Sequence, residues 1–270
     1  MKLLKIIIIA GLLFYTGLSA FVYFFQENLL FFPSFDYNKP PDNFEIEDVY
    51  FYTDDNIKLH AWHLNSNSDK TVLFFHGNGG NLTHRTGQMR LFSSLKLNAL
   101  MIDYRGYGKS GGKIKKEENL YADAAAALKY LTDERQIEPE KIIVWGRSLG
   151  GAAAADAAQN RNFHAVIIES SFYSMQKLAK SRFWFLPAGL LLRYHFRNNE
   201  KIQNIQSKLV IIHSREDELI PFKHAEMLFK KARHPKHFME ISGSHNTGFF
   251  QSYAKYKNRI PEILNLTENN

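Results

Sequence analysis

The sequence of 270 residues contains no cysteine, which excludes disulfides, thiolate-held zinc and a cysteine nucleophile. Any covalent chemistry must come from a hydroxyl, an amine or a carboxylate. A basic helix and a basic patch interleaved with aromatics are also lacking. The formal net charge of +7, from 34 Lys and Arg spread along the chain against 27 Asp and Glu, therefore does not point to nucleic acid. An anionic membrane surface is the better partner for that charge. No spacing of histidines and carboxylates suggests a metal: His60 and His63 lie three apart on an expected strand and face opposite sides. There is no internal repeat and no low-complexity segment, and the length suits one α/β domain.

Charge is absent altogether over residues 6–25. That stretch is about long enough to cross a hydrocarbon core at 1.5 Å per residue. We read residues 1–27 as a membrane anchor. Lys2 and Lys5 precede the apolar run and Gln26 and Glu27 follow it, which puts the N-terminus in the cytoplasm and the rest of the chain on the far side. A cleaved signal peptide with a secreted product is the alternative, although no A-x-A site precedes a polar mature start. Residues 28–43 carry three prolines and no period; they read as a juxtamembrane linker whose aromatics are expected at the lipid interface.

Residues 44–270 read as the folded domain. Runs at 44–52 and 57–64, joined by the turn cluster Thr53-Asp54-Asp55-Asn56, predict an antiparallel hairpin at one edge of a sheet. Beyond it, short apolar runs at 72–75, 99–102 and 142–145 alternate with helical stretches at 83–95, 117–132 and 149–158. Further strands are expected at 165–168, 209–212 and 237–241, and further helices at 222–231 and 248–264. This alternation implies a mostly parallel sheet of eight strands with helices on both faces. About forty residues separate the strand ending at Ile168 from the one starting at Leu209, and they include the apolar run Phe183-Trp184-Phe185-Leu186-Pro187-Ala188-Gly189-Leu190-Leu191-Leu192. An insertion there, at 171–207, is expected to cap the site or else to cover the sheet.

The chemistry centres on Gly146-Arg147-Ser148-Leu149-Gly150, directly behind the β-branched run Ile142-Ile143-Val144-Trp145. A strand that ends in a tight turn before a helix of small residues is the setting of a nucleophile elbow. A serine hydroxyl needs a base and a group that orients the base. Asp217 follows the strand at 209–212, and His245 stands in the loop Ser242-Gly243-Ser244-His245 beyond the last strand, so the chain order is serine, aspartate, histidine. Glu216 and Glu218 are alternative acids, and His234 and His237 alternative bases.

Five motifs in order then carry a resemblance: His76-Gly77-Asn78-Gly79-Gly80-Asn81, Asp103-Tyr104-Arg105-Gly106-Tyr107-Gly108-Lys109-Ser110-Gly111, Gly146-Arg147-Ser148-Leu149-Gly150-Gly151, Asp217 with Pro221, and Gly243-Ser244-His245-Asn246. From about residue 28 onward the chain resembles the α/β-hydrolase superfamily, and within it the membrane-anchored BEM46-like and ABHD13-like serine hydrolases. Ser214 departs from the glycine found there in many relatives. The resemblance implies Ser148 as nucleophile, His245 as general base and Asp217 as its orienting acid. The backbone N–H groups of Asn78 and Leu149 would form the oxyanion hole. Asp103 and Arg105 would be structural, and His76 would order its loop.

The expected activity is cleavage of an ester or thioester through an acyl-enzyme, on acyl or lipid-like substrates, with no cofactor and no metal. A serine peptidase of the same fold and a non-catalytic membrane-tethered binding protein are the alternatives. Dehalogenation is disfavoured, since related enzymes of that type place aspartate at the elbow. The sequons at Asn81 and Asn265 read as chance matches, because a glycan on Asn81 would crowd the expected oxyanion loop.

Overall fold

Apolar side chains alternate along the strands so that both faces of one sheet are buried. Leu73 and Phe75 point to one core with Leu100, Ile102 and Val144, while Val72 and Phe74 point to the other with Met101, Ile143 and Trp145. The computed structural model describes residues 1–266. Its strands are β1 (Ile46–Tyr52), β2 (Lys58–Leu64), β3 (Thr71–Phe75), β4 (Asn98–Asp103), β5 (Ile142–Arg147), β6 (Ala165–Glu169), β7 (Leu209–Ser214) and β8 (Lys236–Ile241). They form one eight-stranded sheet in the order β8-β7-β6-β5-β3-β4-β2-β1. Only β2 pairs antiparallel, with β1 and β4; every other neighbour is parallel. The eight expected strands and the edge hairpin are thus present. The outer strand β1 carries Glu47 and Asp48, charges that discourage pairing with another chain.

The chain opens with α1 (Lys2–Phe24), none of whose residues is buried, and α2 (Gln26–Leu30). Helix α1 is long and apolar enough to cross a membrane. Next come α3 (Thr86–Ser94), α4 (Glu117–Lys129) and α5 (Gly150–Ala157). The crossover from β6 to β7 holds α6 (Met175–Arg182), α7 (Ala188–Leu191) and α8 (Asn198–Lys201), and α9 (Lys223–Lys231) follows β7. After β8, the single helix expected at 248–264 is broken into α10 (Gly248–Gln251) and α11 (Tyr253–Leu264). Ser252 causes the break: its hydroxyl accepts from the Ser242 N–H at 2.9 Å and donates to the Ser242 carbonyl at 3.1 Å, which ties the junction to the end of β8. Helices α4, α5 and α9 cover one face, and α3 and α11 the other.

The segment expected as a linker is more ordered than its composition suggested. Phe32–Pro33 pairs in parallel with Gly79–Gly80, the loop after β3. Phe31 is buried against the ring of Tyr194 at 5.2 Å rather than placed at a lipid interface. Asn81 is fully buried and donates to the carbonyls of Ser34 and Asp36, so it has no room for a glycan. Thr267 of the second sequon lies outside the described residues.

Candidate active site

Strand β5 ends one residue before Ser148, and α5 begins two residues after it. Ser148 sits at φ +55°, a left-handed conformation that costs a non-glycine residue of order 1–3 kcal/mol and persists only when its surroundings enforce it. They do so through four bonds. The Ser148 N–H donates to the Glu169 carbonyl at 2.8 Å, and the Ser148 carbonyl accepts from Gly151 N–H at 3.0 Å and Ser171 Oγ at 2.8 Å. The Ser148 hydroxyl completes the set with His245 Nε2 at 3.1 Å. The turn closes only because Gly146 and Gly150 lack side chains. A Cβ on Gly146 would strike the Gly150 carbonyl and Ala154, and one on Gly150 would strike the carbonyls of Phe75 and His76.

His245 Nδ1 lies 2.8 Å from Asp217 Oδ2. The structure therefore brings Ser148, His245 and Asp217 together from three loops at the C-terminal edge of the sheet. Asp217 is buried, and its Oδ1 accepts from the N–H groups of Leu219 at 3.0 Å and Ile220 at 2.7 Å. Burial pushes its carboxyl up, but the hydrogen bond and charge of His245, the Ile220 amide and nearby His213 outweigh that and hold it below the usual carboxylate range. Glu216 and Glu218 face backbone instead of the imidazole. Glu218 accepts from the His245 N–H at 3.0 Å and Glu216 from the Gly243 N–H at 3.2 Å, so both position the histidine loop. His234 and His237 lie outside the cavity lining.

Asn78 and Leu149 line the same cavity of about 400 Å³ as Ser148 and His245. The Asn78 side chain is fastened: Oδ1 accepts from the Phe32 N–H at 3.3 Å and from the Tyr107 hydroxyl at 3.1 Å. His76 bonds the Gly77 carbonyl at 2.6 Å, and Tyr104 donates to the His76 carbonyl at 2.9 Å. Asp103 accepts from the Leu82 N–H at 3.0 Å and lies near His60 and His76, while Arg105 pairs with Asp123 and Asp55. These charged residues build loops and do not line the cavity.

Several cavity residues were not foreseen as such. Leu29, Leu30, Phe31 and Phe32 line the cavity, as do Met175 and Leu178 of α6. Arg147 forms an ion pair with buried Glu169 at 3.1 Å and donates to the His245 carbonyl at 2.6 Å, linking the elbow to the histidine loop. The signal was a lone carboxylate ending a fully apolar strand, which needs a cation nearby. Arg85 donates to the carbonyls of Gly77 and Gly79 and so shapes the loop that carries Asn78. Burial and the charge of Arg147 push its guanidinium down to about 10, which leaves it charged at neutral pH.

In the first turn of α9, His224 Nδ1 accepts from the Tyr173 N–H at 3.0 Å, and burial with nearby cationic groups pushes the imidazole down to about 4 from 6.5. The folded protein then resists a proton that the unfolded chain accepts. The stability this group contributes is present above pH 6.5 and lost as pH falls from 6.5 toward 4. His224→Asn keeps an acceptor near Nδ1 without titrating; we expect it to flatten the fall of Tm between pH 6.5 and 4, measured by calorimetry in detergent. An unchanged slope in the variant would remove His224 from this account.

Known proteins share this fold. Residues 83–258 match the prolyl oligopeptidase family. The α/β-hydrolase domain-containing protein WAV2 of Arabidopsis thaliana is 30% identical over 279 residues, covering 87% of this chain and 90% of that protein. The human α/β-hydrolase domain-containing protein 17B is 35% identical over 208 residues, covering 73% and 67%. Among solved structures, an esterase of Pyrococcus furiosus superposes with a TM-score of 0.72 at 23% identity, covering 87% of this chain and 98% of the esterase chain.

Proposed function

The chain belongs to the prolyl oligopeptidase family of the α/β-hydrolase superfamily, and on that premise we propose that it is a serine hydrolase that cleaves carboxylic esters or thioesters. The observation that carries this reading is the His245 imidazole, within hydrogen-bond reach of Ser148 Oγ on one side and Asp217 Oδ2 on the other. In the reaction, Ser148 Oγ attacks the acyl carbon while His245 Nε2 takes its proton. The oxyanion lies between the backbone N–H groups of Asn78 and Leu149. Collapse expels the alcohol or thiol, which receives the proton from His245, and leaves an acyl-enzyme. A water deprotonated by His245 then releases the acid and restores Ser148. No cofactor or metal enters this sequence.

The cavity wall of Leu29, Phe31, Phe32, Met175 and Leu178 favours an acyl chain. The family name favours a second reading, peptide cleavage. That requires a free charged group to hold a peptide terminus, whereas Arg147 and Arg85 already bond protein acceptors. We read residues 1–27 as the anchor, with the domain of residues 44–270 on the non-cytoplasmic side and 171–207 as a cap. Residues 28–43 then join anchor to domain and wall the cavity.

Two measurements test the reading. A fluorophosphonate probe should label the protein and not Ser148→Ala; equal labelling of both would end it, as would a non-catalytic binding protein's failure to label at all. Across p-nitrophenyl esters of rising chain length, kcat/KM should climb beyond acetyl. Turnover of acetyl alone would contradict an apolar acyl site, and cleavage of peptides in place of esters would favour the second reading.

A further inference from the structure

The apolar run of the cap forms an exposed tip. Trp184 is 82% and Leu190 85% exposed, and Phe183 and Phe185 are about half exposed. This tip does not stand alone. The Tyr15 hydroxyl, in the middle of α1, donates to the Phe185 carbonyl at 3.1 Å. Nearer the domain, Gln26 donates to the Leu191 carbonyl at 3.0 Å and accepts from the Arg193 N–H at 2.7 Å. Arg193 lies over the ring of Tyr23 and pairs with Glu27 at 3.7 Å. The cap therefore runs back along α1 from its C-terminal end, next to Gln26 and Glu27 of α2, toward its centre. From Phe25 to Tyr15 is ten residues, about 15 Å of helix at 1.5 Å per residue, or about half a hydrocarbon core.

If α1 crosses a bilayer with its C-terminal end at the boundary, the tip is carried below that boundary. Placing the boundary at Tyr15 instead, to keep the tip in water, leaves α1 too short to span. Hydrocarbon offers no partners to bare N–H groups, and much of the tip's backbone is already paired. Phe183, Leu186, Ala188, Leu190 and Leu191 donate to carbonyls within the cap and Tyr15 covers the Phe185 carbonyl, which leaves N–H groups such as those of Trp184 and Phe185 as the cost of immersion. Lys177, Lys180 and Arg182 are exposed on α6, which leads into the tip and also supplies Met175 and Leu178 to the cavity wall. Leu29 to Phe32, which also line the cavity, are the end of α2 and the two residues after it.

We propose that Phe183, Trp184, Phe185 and Leu190 insert into the acyl region of the bilayer that α1 crosses, so that the catalytic cavity opens at its surface and takes an acyl substrate from the lipid phase. This rests on α1 as an anchor and, for the substrate, on the esterase reading. Trp184 supplies the probe, since the other two tryptophans, Trp62 and Trp145, are each 1% exposed in the core. The full chain is reconstituted in phosphatidylcholine vesicles with and without bromine on the acyl chains. Emission should fall in the brominated vesicles, and the fall should vanish in Trp184→Phe. The double variant Trp184→Gln, Leu190→Gln should hydrolyse a short water-soluble ester at the wild-type rate, yet lose on the order of tenfold or more in turnover of a vesicle-embedded long-chain ester.

Protein that floats with vesicles but shows no acyl-bromine quenching overturns the proposal, as does quenching of Trp184 in vesicles by aqueous iodide as strong as that of free N-acetyltryptophanamide, which would leave the tip free for a protein partner. Failure to float with vesicles overturns the anchor and the proposal together. Loss of short-ester turnover in the wild type would instead strike the esterase reading, and the quenching would still decide where the tip lies.

Discussion

Ser148→Ala should lower kcat for ester hydrolysis by roughly a millionfold, since in the proposed reaction the removed atom forms the covalent intermediate and what remains supplies only binding and oxyanion stabilisation. The fold should survive. Alanine keeps the backbone bonds to Glu169, Gly151 and Ser171 that hold the elbow, and only the Oγ contact with His245 is lost. Tm should therefore stay within about 4 °C, the shift that about 1 kcal/mol produces in a domain of this size. A folded variant that keeps more than about 1% of wild-type turnover would show that Ser148 is not the nucleophile.

Asp217→Asn should cost about 10⁴-fold in kcat, and the direction follows from which oxygen is already engaged. Oδ1 accepts two amides, from Leu219 and Ile220, so the asparagine oxygen stays there and its NH₂ is turned to His245. Nδ1 must then accept, Nε2 carries the proton, and the imidazole can no longer take one from Ser148. Fluorophosphonate labelling should slow in parallel with turnover. A loss of less than about tenfold would mean that another carboxylate orients His245.

Much of this arrangement is legible in the sequence because the chemistry demands residue types at strand ends. Ser148 lies between glycines that alone permit its turn, and Asp217 and His245 each follow an apolar run by a few residues. Among Glu216, Asp217 and Glu218 the sequence favours Asp217 on the resemblance alone. Nothing in the spacing shows how the turn to Pro221 closes, where two amides hold Asp217 Oδ1 and leave Oδ2 beside His245. Arg85 was hidden for a different reason: a lone cation near the start of a helix reads as surface, and only the fold brings it under the carbonyls of Gly77 and Gly79. Leu29 to Phe32 were ambiguous because an interfacial aromatic and a cavity wall have the same composition. The two-residue pairing of Phe32–Pro33 with Gly79–Gly80 leaves no periodic trace for the sequence to show.

With α1 as the proposed anchor, that pairing would leave the tether no slack. Because the stretch that leaves α1 is itself one side of the cavity, the domain could not swing out on a leash to sample the bulk. Held at one height, it would meet lipid-borne substrates by lateral diffusion in two dimensions. Its saturation would then be governed by the mole fraction of substrate in the leaflet, and diluting the vesicles at constant composition should leave the rate per enzyme unchanged.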